Sequence, residues 1–129
     1  MCIRDSTTTV QTIARRLHQA ETERRQIRQV SLDHPGITIE DAYAIQREWV
    51  AMKLAEGRRL KGHKIGLTSR AMQQSSQIDE PDYGALLDDM FFAEGGDIPA
   101  SRFIVPVSYT HLTLPTKEDE CRSRWSPYH

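Results

Sequence analysis

From Val10 to Val30 the apolar residues Val10, Ile13, Ala14, Leu17, Ala20, Ile27 and Val30 keep to helical spacing, with Arg and Glu between them. That period predicts an amphipathic helix with one buried side. Ser31 to Gly36, which includes Asp33 and Pro35, predicts its end. A second helix is predicted from Thr38, whose hydroxyl can accept from the first-turn amides. Asp41 stands three positions on as a shorter relative of the capping-box Glu. Ala42, Ile45, Trp49 and Met52 form its apolar stripe, with Trp49 read as core, and Gly57 suits a C-terminal stop. The two elements read as a helical hairpin.

After Gly57 the texture changes. Leu60 to Thr68 mixes β-compatible residues with two glycines and predicts a short strand. Ser69 suits the cap of a short helix from Arg70 to about Gln74. Ser75 to Pro81 is polar and loop-like, Leu86 to Phe92 is apolar around Asp88-Asp89, and Gly95-Gly96-Asp97 reads as a turn. Arg102-Phe103-Ile104-Val105 predicts the start of another strand. The fold class is therefore α+β, helices first and strands after.

Charge adds little to this picture. The 129 residues carry 17 basic and 18 acidic side chains, so no global field favours nucleic acid or a membrane surface. Arg15-Arg16 and Arg24-Arg25 suggest a phosphate stripe, but the interleaved Glu21 and Glu23 favour a solvated helix face. No apolar run approaches the roughly 20 residues that span a bilayer. A cytoplasmic protein is the default expectation.

The ends carry a different kind of signal. Met1-Cys2-Ile3-Arg4-Asp5-Ser6 back-translates to ATG-TGT-ATA-AGA-GAC-AGN. The reverse complement reads GTC-TCT-TAT-ACA-CAT, which encodes Val107-Ser108-Tyr109-Thr110-His111. Residues 1–6 and 107–129 are accordingly expected to derive from a library adapter and to stand outside the fold, and must be set aside before fold reasoning. That leaves 7–57 as a helical region and 58–106 as a region of strands and loops. Both cysteines, Cys2 and Cys121, fall in the set-aside ends, so residues 7–106 are expected to offer neither a disulfide framework nor a thiolate metal site.

Single residues leave the chemistry open. Lys64 lies mid-strand between Gly62 and Gly66, where a lysine either snorkels to solvent or is held for a charge partner. Asp82 follows Pro81 in a turn-forming stretch, where it can simply bond its own backbone. His63 alternates with Lys64 and should face the other side of the strand as a packing residue. Asp79, Glu80, Asp88 and Asp89 show no recognisable cage spacing and read as solvated surface.

Taken as blocks, these residues say more. Lys61-Gly62-His63-Lys64-Ile65-Gly66-Leu67-Thr68-Ser69 and Glu80-Pro81-Asp82-Tyr83-Gly84-Ala85-Leu86-Leu87-Asp88-Asp89-Met90-Phe91 closely resemble the 2-oxo-4-enoate hydratases of the fumarylacetoacetate hydrolase superfamily. The resemblance extends through Ser31-Leu32-Asp33, Ile39 to Tyr43, Gln46 to Trp49 and Arg102 to Pro106. It implies that 58–106 starts the catalytic domain of a truncated fumarylacetoacetate hydrolase-like mixed β fold, and a hydro-lyase of aromatic meta-cleavage catabolism, homoprotocatechuate degradation included. In that chemistry Mg²⁺ or Mn²⁺ chelates a small 2-oxo acid and polarises its ketone. The implied catalytic pair is Lys64 and Asp82, facing one shared cavity, with Gly66, Leu67, Tyr83 and Gly84 lining the substrate site. The family's Glu metal ligands are expected beyond Pro106, so the chain as given is expected to hold no metal and to be inactive. A homo-oligomer is implied for the full-length parent, with neither nucleic acid nor membrane as partner. The local residues favour the branch that takes a seven-carbon dioate. Two alternatives are the family's 4-oxalocrotonate decarboxylase branch and, from another class, a non-catalytic helical binding module resting on the Arg-rich first helix.

Overall fold

The structure is a computed structural model that describes residues 7–105 and, as backbone, 113–115. It divides into two compact units. The first contains 7–57 and 92–105, the second 58–91 and 113–115. None of the described helices is long and apolar enough to cross a membrane.

In the first unit, α1 (Thr7–Glu23) packs against α3 (Ile39–Ala55), with the single-turn α2 (Val30–Asp33) between them in sequence. Val10, Ile13 and Ala14 from α1 and Ile45 from α3 form the buried core, flanked by Leu17, Val30, Ile37, Ala44, Trp49 and Met52. The capping box forms as the sequence implied. Thr38 Oγ1 accepts from the Asp41 amide at 3.1 Å, and the Asp41 carboxylate accepts from the Thr38 amide at 2.9 Å. Asp41 is fully buried in that role.

Two expectations are corrected here. The predicted helix from Val10 to Val30 ends at Glu23, because Glu23, Arg24 and Arg25 leave nothing apolar to bury between Ala20 and Ile27. Arg24 turns left-handed (φ 53°), and the amides of Arg24 and Arg25 close onto the carbonyls of Glu21 and Ala20, a Schellman end built without glycine. The helical hairpin is also replaced. His18 Nε2 lies 2.8 Å from Glu56 Oε1, and Lys53 Nζ lies 2.9 Å from Glu21 Oε2. Both pairs join the C-terminal half of α1 to the C-terminal end of α3, so the helices run parallel. The return is made by the segment through α2, tied back to α1 by Arg16 Nη1 to Asp33 Oδ2 at 2.8 Å. Ala42, expected on the apolar stripe, is exposed, whereas Lys53 is buried with its ammonium 5.4 Å from the Trp49 ring centroid.

The second unit is a three-stranded antiparallel sheet in the order β2-β1-β3, where β1 is Leu60–Gly66, β2 Asp82–Leu87 and β3 Thr113–Pro115. The helix α4 (Arg70–Ser76) connects β1 to β2 and is capped by Ser69 Oγ, which accepts from the Met72 amide at 3.3 Å. Asp82 thus begins a strand instead of sitting in the expected turn. The strand expected from Arg102 does not form. Ala100–Arg102 is a 3-10 turn, and Phe103, Ile104 and Val105 are exposed, with no ladder partner among the described residues. Residues 1–6, 106–112 and 116–129, where the adapter expectation chiefly falls, lie outside the described residues. Within the same expected segment, Thr113–Pro115 does not stand apart from the fold, since it pairs with Gly62–Lys64. Backbone pairing accepts almost any extended segment, so this fact is silent on the segment's origin.

The core assignment predicts that Ile45→Ala destabilises the helical unit by about 2–4 kcal/mol. Ala42→Gln should change stability by less than about 0.5 kcal/mol. Urea unfolding followed by far-ultraviolet circular dichroism distinguishes the two. Acidification has its own expected signature. The Arg16 hydrogen bond holds the Asp33 carboxyl below its ordinary value, with Arg28 adding to the effect. Its stabilising contribution is therefore present above the usual Asp range and lost as pH falls through the lowered value. Asp33→Asn should flatten that part of the stability profile.

Candidate active site

The β1–β2 ladder decides which side chains share a face. From Gly62 onward the Cα partners are Gly62–Leu86, His63–Ala85, Lys64–Gly84, Ile65–Tyr83 and Gly66–Asp82. Partners across an antiparallel pair point the same way, and alternate residues along a strand do too. Lys64, Gly66, Asp82 and Gly84 therefore lie on one face, with Lys64 and Asp82 diagonal neighbours. His63, Ile65, Tyr83 and Ala85 lie on the other, where the His63 and Tyr83 rings meet edge-on with centroids 6.3 Å apart. The expected split of His63 from Lys64 holds. Of the residues the resemblance implies for the substrate site, Gly66 and Gly84 share the Lys64 face and Tyr83 turns away from it.

A β-bulge sets this arrangement. Leu60 pairs with Leu87, but Gly62 pairs with Leu86, so Lys61 is an extra residue. Were the Leu60–Leu87 register continued, Lys64 would oppose Tyr83 and face away from Asp82. One inserted residue switches the face of everything after it. The Lys61 ammonium leaves the ladder and sits 4.6 Å from the Phe91 ring centroid.

Gly66 is under steric constraint. A Cβ built there would lie 2.4 Å from Asp82 Oδ1, so the carboxylate occupies the space that any other residue would fill. The next residue, Leu67, is left-handed (φ 51°), which costs an L-residue roughly 1–2 kcal/mol. Its carbonyl accepts from Gln73 Nε2 on α4 at 2.7 Å. Asp82 is exposed and Lys64 half-buried. An open groove of about 600 Å³ runs along α4, lined by Arg70, Gln73, Gln74, Gln77, Ile78 and Asp79.

Asp88 and Asp89, expected as solvated surface, are half-buried and face Arg59 and Arg58 at 3.9 and 3.6 Å. Among the described residues no group of three or more His, Cys, Asp or Glu side chains is arranged to hold a metal ion. Sequence reasoning missed the Lys61 bulge, the Leu67 conformation and the Gln73 contact. Only a parity conflict carried a signal for the first: Leu60 opposite Leu87 cannot coexist with Lys64 beside Asp82 on an unbroken ladder.

No family model matches the chain. Over 94 residues, however, it is 77% identical to the 2-oxo-hept-4-ene-1,7-dioate hydratase of Escherichia coli, covering 73% of this chain and 35% of that protein. The matched segment is similar to 2-oxo-4-enoate hydratases. A 2-keto-4-pentenoate hydratase of Paraburkholderia xenovorans is 43% identical over 88 residues, covering 68% of this chain and 33% of the relative. Among solved structures, the 4-oxalocrotonate decarboxylase of Pseudomonas putida G7, complexed with calcium and acetate, superposes with a TM-score of 0.63 at 34% identity. That match covers 65% of this chain and 32% of the decarboxylase. The same enzyme is also solved with magnesium and adipate. The chain spans about a third of the length of the relatives it matches.

Gly66→Ala should move the Asp82 carboxylate at small cost, because the obstructing atom is the end of an exposed side chain. The expected change in unfolding free energy is under about 1 kcal/mol, the span of strand propensities. In a double-mutant cycle with Asp82→Ala the two substitutions should be non-additive. Strict additivity would place the carboxylate elsewhere.

Proposed function

We propose that residues 58–105 open the catalytic domain of a metal-dependent 2-oxo-4-enoate hydratase and supply its lysine–aspartate pair. The substrate in this reading is 2-oxo-hept-4-ene-1,7-dioate or a close 2-oxo-4-enoate. One observation carries it: within sequence 77% identical to such a hydratase, Lys64 and Asp82 fall on one sheet face as diagonal neighbours.

The chemistry suits that pair. After the double bond moves into conjugation with the ketone, the hydroxyl of water adds to the β carbon. Negative charge collects on the ketone oxygen as an enolate, and a proton then returns to the carbon beside the ketone. Lys64, an ammonium on a half-buried strand, is placed to hold the enolate oxygen. Asp82, exposed beside it, is placed to take a proton from water and deliver one to carbon. Mg²⁺ or Mn²⁺ would add Lewis-acid polarisation of the ketone, with ligands drawn from outside the described residues. The fumarylacetoacetate hydrolase-like fold, homo-oligomeric assembly and a cytoplasmic location belong to the same reading of the full-length protein. The decarboxylase reading is favoured by the 0.63 superposition alone, and release of carbon dioxide from a 2-oxo dioate would identify it.

The test is a chimera in which the matched segment of this chain replaces its counterpart in the E. coli hydratase. It should hydrate 2-oxo-hept-4-ene-1,7-dioate, and Lys64→Ala or Asp82→Ala should each lower the rate by about 10²-fold or more. Near-parental turnover in either variant removes that residue from the mechanism. The 129-residue chain alone is expected to show no stoichiometric micromolar Mg²⁺ binding by calorimetry and no metal-dependent turnover.

A further inference from the structure

Three described non-glycine residues are left-handed: Arg24, Leu67 and Gln77. Arg24 and Gln77 follow helices whose last carbonyls they help to close, with Arg25 bonding Ala20 and Ile78 bonding Gln73. Leu67 has no such helix behind it. It follows a strand, and α4 begins three residues later. A strained backbone persists only where its surroundings over-determine it, and such positions gather at functional sites.

What determines Leu67 is a side chain. Gln73, half-buried on α4, donates Nε2–H to the Leu67 carbonyl at 2.7 Å. Its own carbonyl accepts from the Ile78 amide, and Ser69 caps the other end of the same helix. The short helix is thus a bracket closed at both ends, with one amide reaching back to the end of β1. Directly before Leu67 is Gly66, over which the Asp82 carboxylate rests.

We infer that Gln73 is a positioning residue: it clamps the Leu67 peptide in its left-handed turn and so keeps Gly66 in register beneath Asp82. This rests on the hydratase reading only for its catalytic consequence. Gln73→Leu retains bulk and helix propensity but cannot donate, so α4 should persist while the clamp is lost.

Two readouts decide it. In the 129-residue chain, the one-bond Cα–Hα coupling of Leu67, which separates positive from negative φ, should report a positive φ that is lost in Gln73→Leu. In the chimera, Gln73→Leu should lower kcat by ~10-fold or more with KM little changed, as expected when an acid–base group is misplaced by a fraction of an ångström to an ångström. A Leu67 that stays left-handed in Gln73→Leu overturns the inference, as does an unchanged kcat in that variant. An unmodified chimera without activity would instead count against the hydratase reading, leaving the coupling measurement to decide the clamp by itself.

Discussion

The register of the β1–β2 ladder is the constraint on which the candidate site depends. Side chains in a strand alternate with a period of two, so a shift of one residue is enough to exchange faces. With Lys61 bulged out, Lys64 and Asp82 meet diagonally over a floor of Gly66 and Gly84. With Lys61 in the ladder they would be divided by the sheet. The bulge also reconciles two demands that an unbroken ladder cannot meet. Leu87 is fully buried opposite Leu60 at one end, while the charged pair occupies a more open face at the other.

The helical unit solves a different problem. Its buried core is small, four side chains with six partly buried neighbours, and part of the interior is given to Lys53. A buried ammonium is tolerated only with compensation. Glu21 at 2.9 Å and the Trp49 ring at 5.4 Å provide it. The same contact joins the C-terminal ends of α1 and α3 and helps to fix them parallel, which obliges the chain to run back between them. Arg16–Asp33 holds that return segment against α1.

Local signals in the sequence were largely readable. Thr38 with Asp41 and Ser69 marked two helix starts because a cap needs only residues within one turn. The Lys61–Ser69 and Glu80–Phe91 blocks located the candidate pair because their likeness to hydratases is itself local in sequence. What escaped depended on partners distant along the chain. The helix predicted to Val30 followed apolar spacing through Ile27, but the helix cannot continue where Glu23 and Arg24 present no apolar side for burial. The hairpin was inferred from adjacency alone, and the ion pairs that decide direction connect residues more than thirty positions apart. The strand predicted at Phe103 had β-forming residues but no described neighbour to pair with, and pairing defines a strand more than propensity does.

Lys64 and Asp82 are eighteen positions apart and are brought together entirely by one strand–helix–strand unit. Loop closure over such a distance is cheap, so an acid–base pair of this kind can be placed without the rest of a large fold. Enclosure is another matter. Desolvation strengthens the grip of an ammonium on an enolate and keeps stray water from the intermediate. An exposed Asp82 and a half-buried Lys64 on an open face have little of that advantage. Nor do the described carboxylates assemble a metal cage, since Asp88 and Asp89 already face Arg59 and Arg58. Local geometry can therefore bring the proposed pair onto one face, while the electric field and the water exclusion that the proposed chemistry needs must come from walls built by other residues. Within the local unit, the bulge at Lys61 chooses the face and the strained turn at Leu67 terminates it beside the carboxylate.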